Sequence, residues 1–289
     1  MNIEGIEIKN PDKLLFPKSK IKKIDVLNYY SEISEHMLPY LENRFLAFQR
    51  FPEGITKQGF YQKNTPNYYP RFIQIKKFHE VNYAVCNNKK SLIYLANQAS
   101  IIFHGWLSLS DKINFPDKLI FDIDPENNPV SEIVKVSFAI KKILESIGLK
   151  PYPMATGSRG VHIIIPLKKQ ETFNEVRNFA KRIAQIVVKL NPNKFTTEFE
   201  TKKRNGRIFI DIYRNSMAQL SVIPFSIRPI EGAPIACPIT WTELKENFNP
   251  QKYNLKNIFS YDLQKVWKDF FKSEKSIKES EKKLKSLEI

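Results

Sequence analysis

The sequence predicts a mixed α/β fold, and two observations carry that prediction. Residues 117–213 read in order as strand, helix, strand, helix and strand, which is typical of an α/β sheet backed by two helices. Hydrophobic residues make up 42% of the 289-residue chain, enough for the core of one large domain or two lobes. We therefore predict an N-terminal lobe (1–115), a central lobe that carries this sheet (116–245) and a C-terminal helical segment (246–289), forming one two-lobed unit.

Apolar spacing predicts the elements of the N-terminal lobe. Helices are expected over 24–38 and 91–101, and strands over 45–51 and 72–85. Residues 103–116 read as a loop that leads into the central lobe.

Capping residues predict the two helices of the central lobe. Ser131 is expected to cap a helix over 132–147. Thr172 and Glu175 have the spacing of a capping box, which begins a helix over 173–190.

From residue 268 onward the chain is rich in Lys, Glu and Ser, and a weak apolar stripe there suggests a solvated helix. The stripe consists of Ile277, Leu284 and Leu287.

Two acidic residues stand at the end of the first central strand. Because strand side chains alternate between faces, Asp122 and Asp124 should project together, with Leu119, Phe121 and Ile123 packed behind them. Carboxylates this close repel each other, and a divalent cation such as Mg²⁺ or Mn²⁺ relieves the repulsion. The alternative is a polar strand edge without a metal.

A second motif combines two glycines, two hydroxyls, a guanidinium and an imidazole. Its residues are Thr156, Gly157, Ser158, Arg159, Gly160 and His162. Glycines let a backbone turn tightly and present N–H groups, and an arginine fork suits phosphate. The sequence therefore predicts a phosphate-binding loop, the alternative being a glycine-rich turn followed by a buried, hydrogen-bonded histidine.

A third acidic residue interrupts an apolar strand. Phe209, Asp211 and Tyr213 should share one face of that strand. A carboxylate in mid-strand is costly to bury unless it is paired. A metal shared with the first two aspartates would pair it, and the alternative partner is Arg207 or Arg214.

These motifs, in this order, resemble the polymerase domain of bacterial DNA ligase D and its stand-alone archaeal and bacterial relatives, within the archaeo-eukaryotic primase superfamily. The resemblance runs nearly end to end. It includes Asn10–Pro17, Gly59–Lys63, Phe103–Trp106, Pro224–Pro229, Gly232–Pro234 and Pro238–Trp241. It implies a primase-like catalytic core with an RRM-like sheet in 116–245 and an N-terminal α/β lobe that contacts DNA.

The resemblance also implies a template-directed nucleotidyltransferase that uses two Mn²⁺ or Mg²⁺ ions and NTP or dNTP, with ribonucleotides preferred. Asp122 and Asp124 would bridge both ions, and Asp211 would bind mainly the ion at the primer 3′-hydroxyl. The implied nucleotide-binding residues are Lys63, His104, Thr156, Gly157, Ser158, Arg159, His162 and Arg228. For His104 the alternative is a structural histidine packed beside Trp106.

DNA contacts are implied in the N-terminal lobe. Phe60 and Tyr61 would lie against the template strand, since aromatic faces stack on bases; the alternative is two core aromatics on opposite faces of a strand. Lys13 and Lys23 would bind a 5′-phosphate at a gap or break. The family acts in non-homologous end joining with Ku and a ligase, so Ku and a separately encoded ligase are the expected partners of a stand-alone polymerase.

Composition narrows the class of partner. Lys and Arg total 46 against 30 Asp and Glu, a net charge of +16, which indicates a polyanion such as nucleic acid. An anionic membrane surface is the rival, but no segment is apolar enough to cross a bilayer and no signal peptide is visible. Only two cysteines, Cys86 and Cys237, are present, which excludes a zinc–cysteine cluster and fits a reducing cytoplasm. With the DNA-repair role that the resemblance implies, we expect a cytoplasmic, nucleoid-associated protein.

Three other functions are compatible with parts of this pattern. A replicative primase small subunit shares the three acids but normally carries a zinc site. A non-catalytic DNA-end-binding module would need only the basic surface and the N-terminal lysines. A metal-dependent nuclease could use the same acids, although the glycine-rich loop favours a triphosphate site.

Overall fold

The computed structural model describes residues 1–286, and the chain divides into two compact units. The first unit comprises Met1–Asp111, Leu220–Cys237 and Gln251–Leu263. The second unit comprises Lys112–Gln219, Pro238–Pro250 and the described part of Gln264–Ile289.

Strands and helices are numbered along the chain. The strands are β1 (Asn2–Ile3), β2 (Ile6–Glu7), β3 (Leu14–Phe16), β4 (Ile21–Lys22), β5 (Leu46–Arg50), β6 (Phe60–Gln62), β7 (Gln74–Phe78), β8 (Val81–Val85), β9 (Ser100–Trp106), β10 (Lys118–Asp124), β11 (Tyr152–Ala155), β12 (Val161–Pro166), β13 (Phe195–Thr196), β14 (Ile208–Asp211), β15 (Leu220–Val222) and β16 (Cys237–Pro238). The helices are α1 (Lys23–Glu32), α2 (Ser34–Leu41), α3 (Lys89–Asn97), α4 (Val130–Ser146), α5 (Phe173–Leu190), α6 (Thr201–Arg204) and α7 (Lys278–Lys285). Turns of 3₁₀ helix lie at Tyr213–Asn215, Ile258–Ser260 and Phe271–Ser273.

The first unit is built on a four-stranded antiparallel sheet of order β15-β9-β5-β6. Its central strand β9 is buried along most of its length. Trp106, at the end of β9, packs edge-on against Phe45 and Phe78 at ring-centroid distances of 5.0 and 4.9 Å. Because β15 pairs with β9, residues 220–237 cluster with the first unit, which differs from the division expected from the sequence.

Local structure in the first unit differs from the sequence prediction in three places. The helix expected over 24–38 is two helices that meet at Ile33. The strand expected over 72–85 is the hairpin β7–β8, since His79 takes a left-handed conformation (φ 49°) at its turn. The helix expected over 91–101 ends at Asn97, and Ala99 has a left-handed conformation (φ 58°). The apolar residues that follow form strand β9, so the first residues of the loop expected over 103–116 belong to a strand.

The second unit is built on a six-stranded sheet of order β13-β14-β10-β12-β11-β16. The central strand β10 is antiparallel to both neighbours, and α4 and α5 pack on the sheet. The predicted sheet backed by two helices is confirmed. The capping box of Thr172 and Glu175 begins α5 as predicted, but α4 begins at Val130 after Pro129, so Ser131 lies inside the helix and does not cap it.

The C-terminal stripe is partly buried. Ile277 and Leu284 are buried at the start and near the end of α7, and so this helix is not fully solvated. The third member, Leu287, lies outside the described residues. Within residues 1–286, no helix is long and apolar enough to span a membrane.

Candidate active site

The three aspartates lie on neighbouring strands of the second unit. Asp122 on β10 is directly opposite Asp211 on β14, and Asp124 lies two residues further along β10. Phe121 and Ile123 are fully buried, as strand alternation predicts. The sheet therefore brings two carboxylates opposite each other and a third next to them on one face.

Asp211 ends its strand. Its Oδ1 accepts a hydrogen bond of 2.7 Å from the backbone N–H of Tyr213, an arrangement that turns the chain. The strand therefore stops at Asp211 and a 3₁₀ turn follows. The expectation that Tyr213 continues the strand face of Phe209 and Asp211 is wrong for this reason.

Asn215 fixes this turn to the central strand, a role that the sequence alone does not predict. The side chain is fully buried. Its Oδ1 accepts a 2.8 Å hydrogen bond from the N–H of Ile120, while its Nδ2 donates to the carbonyls of Ile120 (2.7 Å) and Ile212 (2.9 Å). The amide thus continues the pairing of β10 beyond the end of β14. An Asn just after an apolar strand was the only signal available.

An imidazole and a guanidinium contact the carboxylates. His162, opposite Asp122 on β12, places Nε2 3.3 Å from Asp122 Oδ1. Arg214 Nε lies 3.2 Å from Asp122 Oδ2 and 3.6 Å from Asp211 Oδ2. Of the two arginines considered from the sequence, Arg214 pairs with the acids, whereas Arg207 donates to backbone carbonyls of the preceding helical turn.

These contacts separate the pKa values of the two opposed acids. Burial alone would raise the pKa of Asp122, but His162 and Arg214 outweigh it and hold that pKa well below the usual range. Burial and the negative charge of Asp122 raise the pKa of Asp211, although Arg214 opposes them. The two opposed carboxyls therefore differ in acidity although they lie on one face of the sheet, because Asp122 has the closer cationic contacts.

The chemistry of this cluster fits a divalent cation. Carboxylate oxygens are hard ligands of the kind that Mg²⁺ and Mn²⁺ take. As the side chains lie, no group of three or more His, Cys, Asp or Glu residues within 1–286 is arranged to hold a metal ion. Instead, the guanidinium of Arg214 lies against two of the three aspartates, which shows that the cluster draws positive charge to these oxygens.

The glycine-rich loop joins β11 to β12 beside the carboxylates. Gly157 has a φ of +67°, which favours glycine. The buried Thr156 organises the loop, because its Oγ1 accepts hydrogen bonds from the N–H groups of Ser158 (3.3 Å) and Gly160 (3.2 Å). Its hydroxyl is thus used inside the loop, and Ser158 is the more accessible hydroxyl.

The loop touches the strand that carries the aspartates. A Cβ at Gly160 would lie 2.3 Å from the carbonyl oxygen of Ile123, so only glycine fits this close approach. Arg159 is mostly exposed and places a guanidinium nitrogen 3.7 Å from Asp124 Oδ1. The structure therefore places the loop beside the end of β10 that carries Asp124, and the roles of these residues in binding phosphate and metal stay predictions.

The two N-terminal lysines converge within the first unit. The N–H of Lys23 donates to the carbonyl of Lys13 at 2.8 Å. Burial, followed by the charge of Lys13, lowers the pKa of Lys23. Lys23 also lines a cavity of about 540 Å³, while Lys13 pairs with Glu53 at 2.9 Å. The ammonium of Lys23 donates to the carbonyl of Lys9 at 3.0 Å, and the role of the two lysines in binding a 5′-phosphate stays a prediction.

The aromatic pair lies on the edge strand β6. Phe60 is 47% exposed and Tyr61 58% exposed, so the alternative of two core aromatics is wrong. Both faces of an edge strand reach solvent here, which leaves both rings accessible. The ring of Tyr61 lies 5.7 Å from that of His104 on β9.

The remaining predicted residues also lie in the first unit. Lys63 is exposed just after β6. Arg228 is half-buried, and its N–H donates to the carbonyl of Pro234 at 2.7 Å. Their roles in nucleotide binding stay predictions.

Known proteins match this chain over most of its length. The profile of the family described as LigD, primase-polymerase domain, matches residues 22–270. The bifunctional non-homologous end joining protein LigD of Bacillus subtilis (strain 168) is 30% identical over 86% of the chain and 41% of that protein. The multifunctional LigD of Mycolicibacterium smegmatis is 26% identical over 84% of the chain and 33% of that protein. The chain thus spans less than half the length of these curated relatives.

A solved structure shares the fold. The polymerase domain of Mycobacterium tuberculosis ligase D, determined in complex with DNA, superposes with a TM-score of 0.83 at 24% identity, covering 92% of this chain and 99% of that one. The predicted mixed α/β fold class is confirmed. Because the family profile covers most of the chain, the protein is a nucleotidyltransferase of the LigD primase-polymerase domain family.

Proposed function

We propose that this protein is a template-directed polymerase that adds nucleotides to primer 3′ ends in gaps and breaks during non-homologous end joining. The observation that carries the proposal is the cross-strand pair of Asp122 and Asp211, with Asp124 and the loop 156–160 beside it on one sheet. Phosphoryl transfer needs such a combination of carboxylates and phosphate-binding groups.

Membership of a polymerase family implies a divalent metal ion and a nucleoside triphosphate in general. We propose two Mn²⁺ or Mg²⁺ ions, held by Asp122, Asp124 and Asp211. Bound there, the metal would supply positive charge that lowers the pKa of the primer hydroxyl and stabilises the leaving pyrophosphate. We propose ribonucleotides as the preferred substrate, on the family resemblance alone.

The residues of the second unit have separate tasks in this proposal. Asp122 and Asp211 present metal-binding carboxylates from opposed strands, and His162 keeps Asp122 ionised. The N–H groups of the loop and the exposed Arg159 bind triphosphate oxygens. Thr156 holds the loop in shape through its two accepted hydrogen bonds.

The first unit is proposed to bind DNA. The converging Lys13 and Lys23 suit a terminal 5′-phosphate, which carries more charge than a backbone phosphodiester. The exposed Phe60 and Tyr61 suit stacking on template bases. DNA is supported as a ligand by the M. tuberculosis domain solved with DNA and by the net charge of +16. Ku and a separate ligase are proposed partners, and the bacterial or archaeal cytoplasm the proposed location.

Primer extension on a gapped duplex tests the proposal. We expect template-dependent addition, faster with NTP than with dNTP and with Mn²⁺ than with Mg²⁺. Asp122→Ala should abolish addition while DNA binding persists, since phosphate contacts come mainly from lysine and arginine. Lys181→Ala, an exposed position on α5, serves as a control that retains activity.

The same assay separates the alternatives. Synthesis of a dinucleotide without any primer would favour a primase of the replicative type. Strand shortening that requires the aspartates would favour a nuclease. DNA binding with no nucleotide addition under any metal would leave only an end-binding module.

A further inference from the structure

Arg214 occupies a particular place in the carboxylate cluster. Its Nε lies 3.2 Å from Asp122 Oδ2 and 3.6 Å from Asp211 Oδ2, so one guanidinium reaches both opposed acids. Its side chain is 41% exposed, whereas those of the two aspartates are only 17% and 14% exposed. The arginine therefore reaches the buried carboxylates from the more accessible side.

The opposed acids need such a cation. Like charges directly opposite each other in an antiparallel ladder destabilise the sheet. Asp122 and Asp211 face each other in the ladder, and their side chains are only 17% and 14% exposed, so water screens their repulsion little. A guanidinium stays protonated at every relevant pH, so its charge is always present.

The backbone of Arg214 is anchored, whereas its long side chain has rotational freedom. Asp211 accepts from the N–H of Tyr213 on one side, and Asn215 bonds to Ile120 on the other. The backbone of the 3₁₀ turn is therefore anchored at both ends. A long, partly exposed side chain on such a turn can leave the carboxylates by rotation alone, without movement of β10 or β14.

We propose that Arg214 is a built-in counter-cation that holds the Asp122–Asp211 pair in the metal-free protein and competes with the divalent metal for the same oxygens. The inference rests on the metal site proposed above. Arg214 is a positioning residue in this account: it keeps two ligands in register before the metal arrives, and it weakens metal binding by the free energy needed to displace it.

Direct titration of Mn²⁺, followed by the electron paramagnetic resonance signal of the free ion, tests the competition. Arg214→Gln should bind Mn²⁺ about tenfold more tightly than wild type, which corresponds to about 1.4 kcal/mol. Arg214→Lys, which keeps the charge, should stay near wild type. Lys181→Gln removes one positive charge from an exposed helix position and should also leave affinity unchanged. Equal or weaker binding by Arg214→Gln would overturn the proposal.

Thermal unfolding in EDTA tests the counter-cation role without any metal. Arg214→Gln should melt about 2–4 °C below Lys181→Gln, the shift expected for a loss of about 1 kcal/mol in a protein of this size. Arg214→Lys should recover most of that loss. If Arg214→Gln and Lys181→Gln melt alike, the counter-cation role is wrong.

The two experiments also distinguish this inference from the metal site itself. If Asp122→Asn binds Mn²⁺ with the same affinity as wild type, the proposed metal site is wrong. The unfolding experiment in EDTA then decides alone whether Arg214 stabilises the acid pair, since it depends only on charge.

Discussion

Asp122 and Asp211 lie directly opposite each other across the antiparallel ladder between β10 and β14. Sheets usually avoid like charges in this position, because the two Cβ atoms are only about 4.5–5.5 Å apart. Here the guanidinium of Arg214 lies against both acids, and Nε2 of His162 lies 3.3 Å from Asp122 Oδ1. A cluster that is costly without a cation is a suitable place to bind one.

The opposite pKa shifts of the two acids predict opposite stability effects in EDTA. The pKa of Asp211 is raised by burial and by Asp122, so its ionised form costs folding free energy at neutral pH, and Asp211→Asn should stabilise the protein there. This gain should shrink as the pH falls and Asp211 takes up its proton. The pKa of Asp122 is lowered despite burial, so its ionised form stabilises the fold, and Asp122→Asn should destabilise it throughout pH 5–8.

Urea unfolding at pH 5 and pH 8 measures both effects. Each variant serves as the control for the other, since both replace a carboxylate by an amide and the two positions face each other in the ladder. Destabilisation by both substitutions at pH 8 would contradict the assigned charge states.

Gly160→Ala should destabilise the second unit. Its Cβ would lie 2.3 Å from the carbonyl oxygen of Ile123, so either the loop or β10 must shift. Overpacking of this kind costs about 1–3 kcal/mol in the free energy of unfolding, which chemical denaturation detects. Ser158→Ala, in the same loop but away from this contact, is the control and should stay within about 0.5 kcal/mol of wild type. Equal stability of the two variants would mean that the close approach is absent in solution.

Asn215→Ala should be among the most damaging single substitutions in the second unit. It leaves the N–H and carbonyl of Ile120 without the side-chain amide that satisfies them in a fully buried position. Each buried polar group left unsatisfied costs about 1–3 kcal/mol. Asn178→Ala, at an exposed position of α5, is the matched control and should be nearly neutral. If neither variant changes the free energy of unfolding measurably, water replaces the side-chain amide of Asn215.

Thr156→Val should impair nucleotide use more than Thr156→Ser. Valine lacks the oxygen that accepts the N–H groups of Ser158 and Gly160, whereas serine retains it. Loss of a preorganised phosphate loop should raise the KM for nucleotide or lower kcat/KM by about tenfold, equivalent to 1.4 kcal/mol. Steady-state extension at fixed DNA measures this. If Thr156→Val behaves like Thr156→Ser, the hydroxyl does not organise the loop.

Recognition of a 5′-phosphate should depend on the lysine pair of the first unit. Wild type should bind a gapped duplex more tightly when the downstream strand carries a 5′-phosphate, and Lys13→Ala/Lys23→Ala should bind both forms alike. Lys57→Ala/Lys77→Ala removes two charges from exposed positions and should keep the preference. Fluorescence anisotropy with the two duplexes measures all three. Absence of any preference in wild type would remove the main support for the end-joining assignment.

Several features could be predicted because they depend on neighbours in sequence. Strand alternation alone places Asp122 and Asp124 on one face, and the spacing of Thr172 and Glu175 alone begins α5. The glycine-rich loop likewise follows from its composition. Predictions failed where a single backbone angle decides the outcome, as at His79 and Ala99, since a non-glycine residue gives no warning of a left-handed conformation.

The sequence by itself determined the order of elements in the second unit, the three acids, the loop and the family to which these belong. Only the tertiary structure decided that Asp211 faces Asp122, that Asn215 continues the ladder, and that residues 220–237 join the first unit through β15. The physical reason is that strand register and pairing depend on contacts between segments about a hundred residues apart. Local propensity carries no information about such contacts, because a strand fits many partners until the buried faces of the whole sheet select one.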